Sequence, residues 1–379
     1  MGAAATAAPL DVVHLITDLD VGGAELTLLR LVSASPPSLR HHVVSLRGGG
    51  ALEEKFRSAS VDVSCFDTRT LSGMAAAVVK LAMLLHRKRP TVVMSWLYHA
   101  DLVATLATRL APPTRLIWNI RCADMDLRRY SRLTRTLPHI LAPLSGFPER
   151  VLANSEAGRR AHAAYGYRPR RWEVLRNGVD ATRFRPDPEA RARARKEFGT
   201  GDDHLLVGLV ARVDPMKGHA DFLAAAAGLA PRHPSARFVL IGRQTEDEQI
   251  TQLAEEMGLA PRLLVRTGER SDLEHLLPGL DVAVSASLSE GFPNVVAEAM
   301  ACGVPCVVTD VGDSAVIVGD SGRVVPKASP LALAQAISDI LALDEGGRRM
   351  LGNAARARVE SEFSEDECWR RYADVLRQA

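Results

Sequence analysis

Two carboxylates, Glu290 and Glu298, stand eight residues apart in an otherwise apolar stretch, SLSEGFPNVVAEAMACGVPCVVTD. Glu290 falls in a Gly- and Pro-containing loop, and Glu298 falls one turn into the helical segment that follows. The amides of that first turn, Asn294 to Val296, could hold an anion because a helix N-terminus carries positive dipole charge. The same dipole stabilises a first-turn carboxylate, so Glu298 alone could be structural. Glu290 has no such stabilisation and is the stronger functional candidate.

Two cations form a second candidate group in the segment GLVARVDPMKGHADF. Arg212 ends the first strand-like run of the C-terminal half, and Lys217 follows in a loop shaped by Pro215 and Gly218. Ligands of open α/β sheets bind at the carboxyl ends of the strands. Two cations there suit a diphosphate, which Arg binds as a planar fork and Lys as a point charge. Solvated surface charge is the alternative interpretation.

A glycine pair lies where the first strand-like run gives way to a helix, in DLDVGGAELTLLRLV. Gly22 and Gly23 would let backbone amides approach an anion at the helix N-terminus. The helix is expected to turn Leu26, Leu29 and Val32 towards a core. The full G-x-G-x-x-G fingerprint is absent, so this motif alone is better explained as a tight strand-to-helix turn.

Another strand end, in SWLYHADL, carries a histidine and an aspartate. A lone histidine is more often a satisfied polar residue than a catalyst, but the carboxyl edge of a sheet is where ligands bind. His99 is therefore a candidate catalytic residue, and Asp101 is a candidate ligand contact. Asp18 and Asp20 form a D-x-D motif, which we interpret as acidic loop residues and not as a metal site.

The elements that must position these residues follow an α/β pattern. Short β-branched runs alternate with Ala- and Leu-rich segments of helical period, which is typical of βαβ units around a buried parallel sheet. The strand-like runs are VVHLIT, HHVVSL, VDVSCFD, TVVMSW, RLIWNI, RVLANS and WEVLRN, then HLLVGLVAR, RFVLIGR, RLLVRTG, DVAVSAS, PCVVTD and GRVVP.

Two doubly wound parallel-sheet, Rossmann-like domains are therefore predicted. They are expected to span residues 1–180 and 181–362, with RNGVDATRFRPDPEARARARKEFG as the linker. A closing helix over 363–379, opening after Ser364, is expected to join the N-terminal domain.

Composition narrows the class of protein. A chain of 379 residues with 47% hydrophobic and 24% charged residues has room for two domains and excludes disordered and fibrous classes. Five scattered cysteines without a C-x-x-C pair give little support to disulfides or zinc and favour a reducing cytosol. MGAAATAAPL lacks the features of a signal peptide and is expected to be a frayed end. We expect a cytoplasmic protein, because no uncharged apolar stretch approaches a membrane span.

Charge is unevenly distributed along the chain. Residues 1–180 hold 24 Lys and Arg against 15 Asp and Glu, a net charge of +9, whereas the remainder carries −7. A basic half suits an anionic membrane surface or a phosphate-bearing substrate. Solvated arginines in an Ala- and Arg-rich chain are an equally good explanation. Nucleic acid is not expected as a partner, because the basic pieces are not interleaved with aromatics.

Together these motifs resemble a known family. EGFPNVVAEAMACGVPCVVTDVGD is similar to the E-x7-E signature of the retaining glycosyltransferases of family four, which have the GT-B fold of two Rossmann-like domains facing each other across a cleft. GGAE after the first strand, NGVD at the domain crossing, ARVDPMKG and the terminal FS helix follow in the family's order over nearly the whole chain.

The resemblance implies a role for each position. Glu298 would bind the ribose of a nucleotide sugar, Glu290 would bind the transferred sugar, and Arg212 with Lys217 would neutralise the diphosphate as the glycosidic bond breaks. The other donor contacts would be Gly22, Gly23, Asn294, Val295 and Val296 at the phosphates, and Arg243 with the segment from Thr267 to Arg270 around the base.

The implied reaction is transfer of a sugar from a nucleotide-diphosphate sugar to an acceptor hydroxyl with retention of anomeric configuration, in bacterial polysaccharide, glycolipid or other glycoconjugate biosynthesis. The enzyme would be a hexosyl- or other glycosyltransferase with no cofactor or metal, in which the departing phosphate helps to deprotonate the acceptor. Glycosidases differ because their two carboxyl groups flank one bond. The acceptor would be lipid-linked or anionic and would lie mainly in the N-terminal domain, with peripheral contact at the inner face of the cytoplasmic membrane.

One position departs from the family, and two other functions stay open. Members often carry a histidine after the strand equivalent to RLIWNI, where this chain has Arg121. Arg121 and Asp101 would be sugar or acceptor contacts, and the cation of Arg121 could also assist the phosphate. A non-hydrolysing nucleotide-sugar epimerase of the same fold would interconvert the donor without an acceptor. A non-catalytic nucleotide-sugar-binding subunit would bind the donor without turnover. The base, the sugar and the oligomeric state do not follow from the sequence.

Overall fold

The structure is a computed structural model that describes residues 9–66, 68, 70–123, 132–201 and 203–378. The expected frayed N-terminus, residues 1–8, lies outside these ranges. The chain divides into two compact units, Met1–Asn177 with Glu367–Ala379, and Gly178–Asp366. The boundaries expected from the sequence lie within a few residues of these divisions. None of the helices in the described ranges is long and apolar enough to cross a membrane.

Strands and helices alternate along both units. The strands are β1 (Leu10–Ile16), β2 (Leu39–Ser45), β3 (Asp62–Cys65), β4 (Val92–Trp96), β5 (Arg115–Ile120), β6 (Arg150–Ala153), β7 (Trp172–Val174), β8 (Leu205–Val210), β9 (Ala236–Ile241), β10 (Leu264–Arg266), β11 (Val282–Ser285), β12 (Cys306–Thr309) and β13 (Arg323–Val325). The helices are α1 (Gly23–Ala34), α2 (Glu53–Ser58), α3 (Leu71–Lys88), α4 (Tyr98–Arg109), α5 (Arg132–Leu141), α6 (Glu156–Ala164), α7 (Pro188–Glu197), α8 (His219–Leu229), α9 (Glu248–Glu256), α10 (Leu273–Leu276), α11 (Asn294–Ala301), α12 (Ser314–Val318), α13 (Pro330–Leu341), α14 (Glu345–Glu362) and α15 (Glu365–Arg377).

Each unit is built on one parallel sheet. The strand orders are β3-β2-β1-β4-β5-β6-β7 in the first unit and β10-β9-β8-β11-β12-β13 in the second. Every strand-like run named from the sequence overlaps one of these strands. The prediction of two doubly wound parallel-sheet domains is therefore confirmed. In both sheets the chain reverses its winding direction beside the first strand, which is where ligands of such sheets bind.

Helix α1 covers the first sheet with a face that differs slightly from the expected one. Leu28, Leu31 and Val32 are buried in the core, whereas Leu26 and Leu29 are only partly buried at its margin. All three predicted residues therefore contact the core, Val32 within it and the two leucines at its margin. A helical stripe is wider than one residue in each turn, so spacing alone leaves its centre undecided.

The terminal helix α15 packs in the core of the first unit. Tyr372 is fully buried and stacks on Trp96, with ring centroids 6.4 Å apart. The Arg115 guanidinium donates to the carbonyls of Leu376, at 2.8 Å, and Val375, at 3.3 Å. These bonds satisfy carbonyls that the end of a helix leaves without intrahelical partners. The expectation that this helix joins the N-terminal domain agrees with these contacts.

Helix α7 belongs to the second unit, although the sequence suggested that it was part of a linker. Asp281, just before β11, accepts bonds from Arg191, at 2.7 Å, from Arg195, at 3.1 Å, and from the Leu206 amide, at 2.8 Å. Arg195 and Asp281 are both buried. The arginines that made this helix look like a solvated linker are the groups that fasten it to the sheet.

We expect Asp281→Ala to destabilise the second unit by about 3–5 kcal/mol, because removal of the aspartate leaves the buried arginine charge without a partner. The measurement is urea unfolding of the full chain. Glu189→Gln is the matched control: it removes an exposed ion pair with Arg193 on the same helix and should change stability by roughly 0.5 kcal/mol or less. Equal stability of the two variants would contradict the role given to Asp281.

Candidate functional site

The carboxyl ends of β8 and β11 bring two of the predicted residues into contact. These strands are parallel neighbours, so the loops that follow them lie at one edge of the sheet. Lys217 Nζ lies 2.6 Å from Glu290 Oε1, and Ser287 Oγ donates to the same oxygen at 2.7 Å. Both charged side chains are largely buried, with 26% of Lys217 and 13% of Glu290 exposed. The structure therefore joins the expected phosphate and sugar residues in one group.

Close backbone packing holds the two loops in register. Gly218 has a φ of +66°, in the left-handed region, and a side chain there would collide with the carbonyl of Ala286. The Leu288 amide donates to the Met216 carbonyl at 2.8 Å. The Lys217 loop and the Glu290 loop are consequently fixed against each other, and their side-chain pair depends on a glycine at position 218.

A third loop, after β12, supports Glu290 from its backbone side. Gly312 has a φ of +61°, and a side chain there would collide with the carbonyls of Glu290 and Gly291. The Asp313 amide donates to the Gly291 carbonyl at 2.9 Å. Three neighbouring strand ends thus position one carboxylate, which favours a preorganised site.

Arg212 lies in the loop after β8, as the sequence predicts. Its Nη2 is 3.1 Å from Asp214 Oδ2, and Asp214 Oδ1 accepts from the Met216 amide at 2.8 Å. Burial alone would raise the pKa of Asp214, but the Met216 amide and Arg212 together lower it. Asp214, which the sequence reading missed, therefore orients Arg212 in the same loop that carries Lys217.

Glu298 lies in α11 and is 6% exposed. Its charge acts on two neighbours: burial first, and then Glu298, raise the pKa of the Cys302 thiol to about 12. The pKa of Arg183 is raised mainly by its 2.9 Å bond to Glu274, and the charge of Glu298 raises it further. Arg183 and Glu274 were missed because nothing in NGVDATRF or SDLEHL shows that they meet.

The N-terminus of α11 is where the sequence placed it, at Asn294. The Val296 amide, however, donates to the Pro293 carbonyl at 3.1 Å. Val296 is therefore the weakest of the three amides proposed to hold an anion, and the prediction is corrected for that residue.

The loops after β9 and β10 hold the residues expected around the base. Arg243 is exposed, and its carbonyl accepts from the Val213 amide at 2.9 Å. Thr267 extends the pairing of β10 by donating its amide to the Leu240 carbonyl at 3.1 Å. Arg270 is ion-paired with Asp272, at 2.6 Å, and with Glu197. Its bonds to these carboxylates raise the pKa of Arg270, so this guanidinium is already well partnered within the protein.

The Gly22-Gly23 turn of the first unit carries a carboxylate that the sequence reading overlooked. Glu25 folds back over Gly22, and its carboxyl group stands where a side chain at that glycine would be. Burial raises the pKa of Glu25 to about 7; its own amide and Arg121 oppose the increase, and Asp18 and Asp20 add to it. The GGAE motif therefore places a carboxyl group that titrates near neutrality at a helix N-terminus.

His99 and Asp101 have different surroundings, although both lie in α4. Burial, with a smaller effect of Arg47, lowers the pKa of the half-buried His99 to about 4, so the imidazole is neutral near pH 7. Leu97, just before the helix, has a φ of +73°, a strained conformation of the kind that clusters at functional sites. Asp101 is fully buried and accepts from Ser95 Oγ at 2.6 Å. The prediction that Asp101 contacts sugar or acceptor does not fit this burial.

Arg121 follows β5 and directs its guanidinium at protein side chains. Nη1 donates to Tyr372 Oη at 3.0 Å, and Nη2 donates to Thr27 Oγ1 at 2.8 Å and Asn177 Oδ1 at 2.5 Å. The hypothesis of a sugar or phosphate contact is corrected accordingly, because most of its donor capacity is used within the first unit.

The part of the chain that the structure describes contains no group of three or more His, Cys, Asp or Glu residues arranged to hold a metal ion. The expectation of a metal-independent enzyme stays a prediction.

Curated relatives match part of the chain. The D-inositol 3-phosphate glycosyltransferases of Mycobacterium tuberculosis and Mycobacterium bovis are 31% identical to it over 237 residues, which make up 60% of this chain and 47% of theirs. The chain therefore spans about half the length of the curated relatives it matches.

Solved structures match almost the whole chain. HepE of Anabaena superposes with a TM-score of 0.85 in its complex with UDP and 0.84 in its complex with UDP-glucose, at 21% and 22% identity. Each covers 97% of this chain and 99% of HepE. A glycosyltransferase of Rickettsia africae has a TM-score of 0.83 at 16% identity, covering 97% of this chain and 98% of its own. These likenesses and the two parallel sheets confirm the predicted GT-B fold class.

Two family models match consecutive segments of the sequence. Residues 21–183 match Glycosyltransferase Family 4, and residues 190–358 match Glycosyl transferases group 1. Together the two segments take in most of the chain, in the order that the motifs suggested. The chain therefore belongs to the glycosyltransferases of family 4.

Proposed function

We propose that this protein transfers a sugar from a nucleotide-diphosphate sugar to an acceptor hydroxyl with retention of anomeric configuration. The observation that carries the proposal is the Lys217–Glu290 pair beside Arg212, at the carboxyl ends of β8 and β11. Glu298, in the following helix, supplies the second carboxylate of the E-x7-E pattern. Arg212 and Lys217 suit the diphosphate. The two carboxylates, Glu290 in the loop and Glu298 one turn into the helix, suit the hydroxyl groups of the sugar and the ribose on either side of it.

The charges of this group suggest how the reaction is accelerated. As the bond between the sugar and the diphosphate breaks, the leaving oxygen gains negative charge, and Arg212 and Lys217 would stabilise that charge more in the transition state than in the ground state. Lys217 and Ser287 both bond to Oε1 of Glu290, so Oε2 is the oxygen that would accept a sugar hydroxyl. Glu290 would thus orient the sugar while its partner Lys217 meets the phosphate.

Retention would follow from attack on the face that the diphosphate leaves. The acceptor oxygen forms the new bond to the anomeric carbon as the old carbon–oxygen bond breaks, and the acceptor proton passes to the departing phosphate oxygen. The neutral imidazole of His99 would contact the acceptor or the sugar, since a ring with a pKa of about 4 carries no charge that would compete with the cations at the phosphate.

UDP-sugars are the first donors to test, because the structures of HepE contain UDP and UDP-glucose. Thermal-shift measurements with UDP, GDP, ADP and dTDP sugars would identify the donor, since a ligand that binds only the folded state raises Tm. Release of nucleoside diphosphate in the presence of cell extract then measures transfer. Interconversion of the donor without acceptor would favour the epimerase, and binding without release would favour the non-catalytic subunit.

We expect Glu298→Ala to weaken donor binding and Glu290→Ala to reduce kcat more strongly. A hydrogen bond to a charged group contributes about 1.5–3 kcal/mol, so the donor KM of Glu298→Ala should rise roughly tenfold or more. Steady-state kinetics with the identified donor measure both effects. Glu256→Ala, at an exposed position of α9, is the control and should behave as wild type. Unchanged kinetics in both site variants would refute the proposed roles.

Turnover is expected to proceed without a divalent metal, because two cationic side chains would supply the charge at the leaving diphosphate. The test compares initial rates after dialysis against EDTA with rates after added Mg²⁺ or Mn²⁺. Rates within about twofold of each other are expected. A loss of activity that either metal restores would show that the cations of the site do not suffice.

The acceptor is proposed to be anionic or lipid-linked. The net charge of +9 over residues 1–180 favours such a molecule, and the name of the curated relative specifies a phosphorylated acceptor for that enzyme. Peripheral contact with an anionic membrane is proposed through the outer faces of α3 and α4. Val79, Met83 and Leu110 are exposed there, next to Lys80 and Arg87. Apolar groups among cations are typical of surfaces that lie at a lipid interface.

We expect the protein to co-sediment with vesicles of phosphatidylglycerol and phosphatidylcholine, and less well as the phosphatidylglycerol fraction falls. The double variant Lys80→Gln/Met83→Ser should reduce the bound fraction several-fold, since each basic residue near such a surface contributes about 1 kcal/mol. Met350→Ser, which removes a comparably exposed methionine from α14 of the second unit, should leave binding unchanged. Sedimentation that is independent of anionic lipid would rule out this contact.

A further inference from the structure

We infer that Arg121 is a positioning residue that holds the Gly22-Gly23 turn in place through Thr27 and fastens α15 and Asn177 to the same point. The inference rests on the proposed function for its kinetic consequence, because the turn is the expected phosphate contact of the first unit. Its place at the carboxyl end of β5 suggested a ligand contact, whereas the inference makes Arg121 a residue that positions other parts of the first unit.

A short hydrogen-bond relay joins Arg121 to the turn. Arg121 Nη2 donates to Thr27 Oγ1 at 2.8 Å, and Thr27 Oγ1 donates in turn to the Gly23 carbonyl at 2.7 Å. The hydroxyl of Thr27 accepts one bond and donates the other, so both its roles are used and its rotamer is fixed. Gly23 is the first residue of α1. The guanidinium therefore sets where the N-terminus of α1 lies relative to the end of β5.

A second arm of the guanidinium reaches α15. Tyr372 Oη accepts from Arg121 Nη1 at 3.0 Å and from Asn119 Nδ2 at 3.2 Å. The tyrosine is fully buried, and the Arg121 guanidinium lies 5.6 Å from the centre of the Trp96 ring on which Tyr372 stacks. Cation–π attraction adds to the hydrogen bonds at this position.

The third arm reaches Asn177, whose Oδ1 lies 2.5 Å from Arg121 Nη2. Asn177 is the last residue of the first unit before the chain enters the second, and α15 begins where the chain returns. Arg121 thus bonds to the last residue of the first unit before the crossing, to the returning helix α15 and, through Thr27, to the glycine turn. A planar fork with five N–H groups can serve three elements at once, and a lysine ammonium cannot reproduce that geometry.

Arg121 also acts on the carboxylate at the turn. Its charge favours the ionised form of Glu25, whereas burial and the neighbouring Asp18 and Asp20 favour the neutral form, and the Glu25 amide opposes them. Loss of the guanidinium would leave more of this carboxyl group protonated at neutral pH. A change at Arg121 should therefore shift the pH dependence with which any ligand binds at the Gly22 turn. Loss of packing alone would not cause such a shift.

The test is a double-mutant cycle of Arg121→Gln and Thr27→Val, read by hydrogen exchange of the Leu26 amide, which donates to the Gly22 carbonyl at 3.0 Å, and by the donor KM. Each single variant should speed exchange in that turn at least several-fold and raise KM about threefold to tenfold, and the double variant should add little to the larger single effect. Arg121→Lys should not rescue the turn. Arg40→Gln, an exposed arginine paired with Asp11, should match wild type.

Two outcomes would overturn the inference. The first is wild-type exchange and KM in Thr27→Val while Arg121→Gln loses activity, because Arg121 would then act directly on substrate. The second is full rescue by Arg121→Lys, because charge alone would then suffice. Tyr372→Phe separates the arms: it should lower Tm while leaving exchange at the α1 turn near wild type. If wild type turns over no nucleotide sugar, the proposed function fails while hydrogen exchange still tests the relay.

Discussion

The candidate site of the second unit is organised around one ion pair, between Lys217 and Glu290. The two residues lie 73 positions apart in the chain and meet because β8 and β11 are neighbours in a parallel sheet. At 2.6 Å and mostly shielded from water, the pair is screened less by salt than a surface pair would be. The two opposite charges nearly cancel while the pair is intact. Arg212, paired with Asp214, is the second cation of this loop and the more exposed of the two.

The corresponding turn of the first unit is electrostatically different. A helix N-terminus favours an anion, and in this chain Glu25 already supplies one from within the same helix. With a pKa of about 7 the carboxyl group is poised between its two forms, so a phosphate brought to Gly22 would meet either a neutral donor or a like charge. The two units thus prepare different environments: cations paired with carboxylates beside β8, and a titratable carboxyl group beside β1.

Local pattern was sufficient for the architecture and for the residues whose place follows from a strand end. Apolar runs gave every strand because a buried parallel sheet needs continuous hydrophobic segments, and the loops at Arg212, Lys217 and Glu290 followed from them. The failures concern contacts between distant residues. Asp101 was read as a sugar or acceptor contact because a helix face cannot be assigned without its neighbours. Helix α7 was read as linker because its partner Asp281 is far along the chain, and Arg121 was read as a ligand contact because Tyr372 and Asn177 are not visible from its own segment.

The return of α15 to the first unit has a consequence for how the polypeptide is made. The segment Gly178–Asp366 is continuous, so a growing chain could complete the second unit as soon as that segment leaves the ribosome. The first unit begins earlier but lacks Tyr372 and Leu376, both fully buried, until α15 has been synthesised after it. Until then the face of Trp96 on which Tyr372 stacks is uncovered. The part of the protein that is translated first would therefore be the last to mature, and during translation it would present apolar surface that chaperones bind.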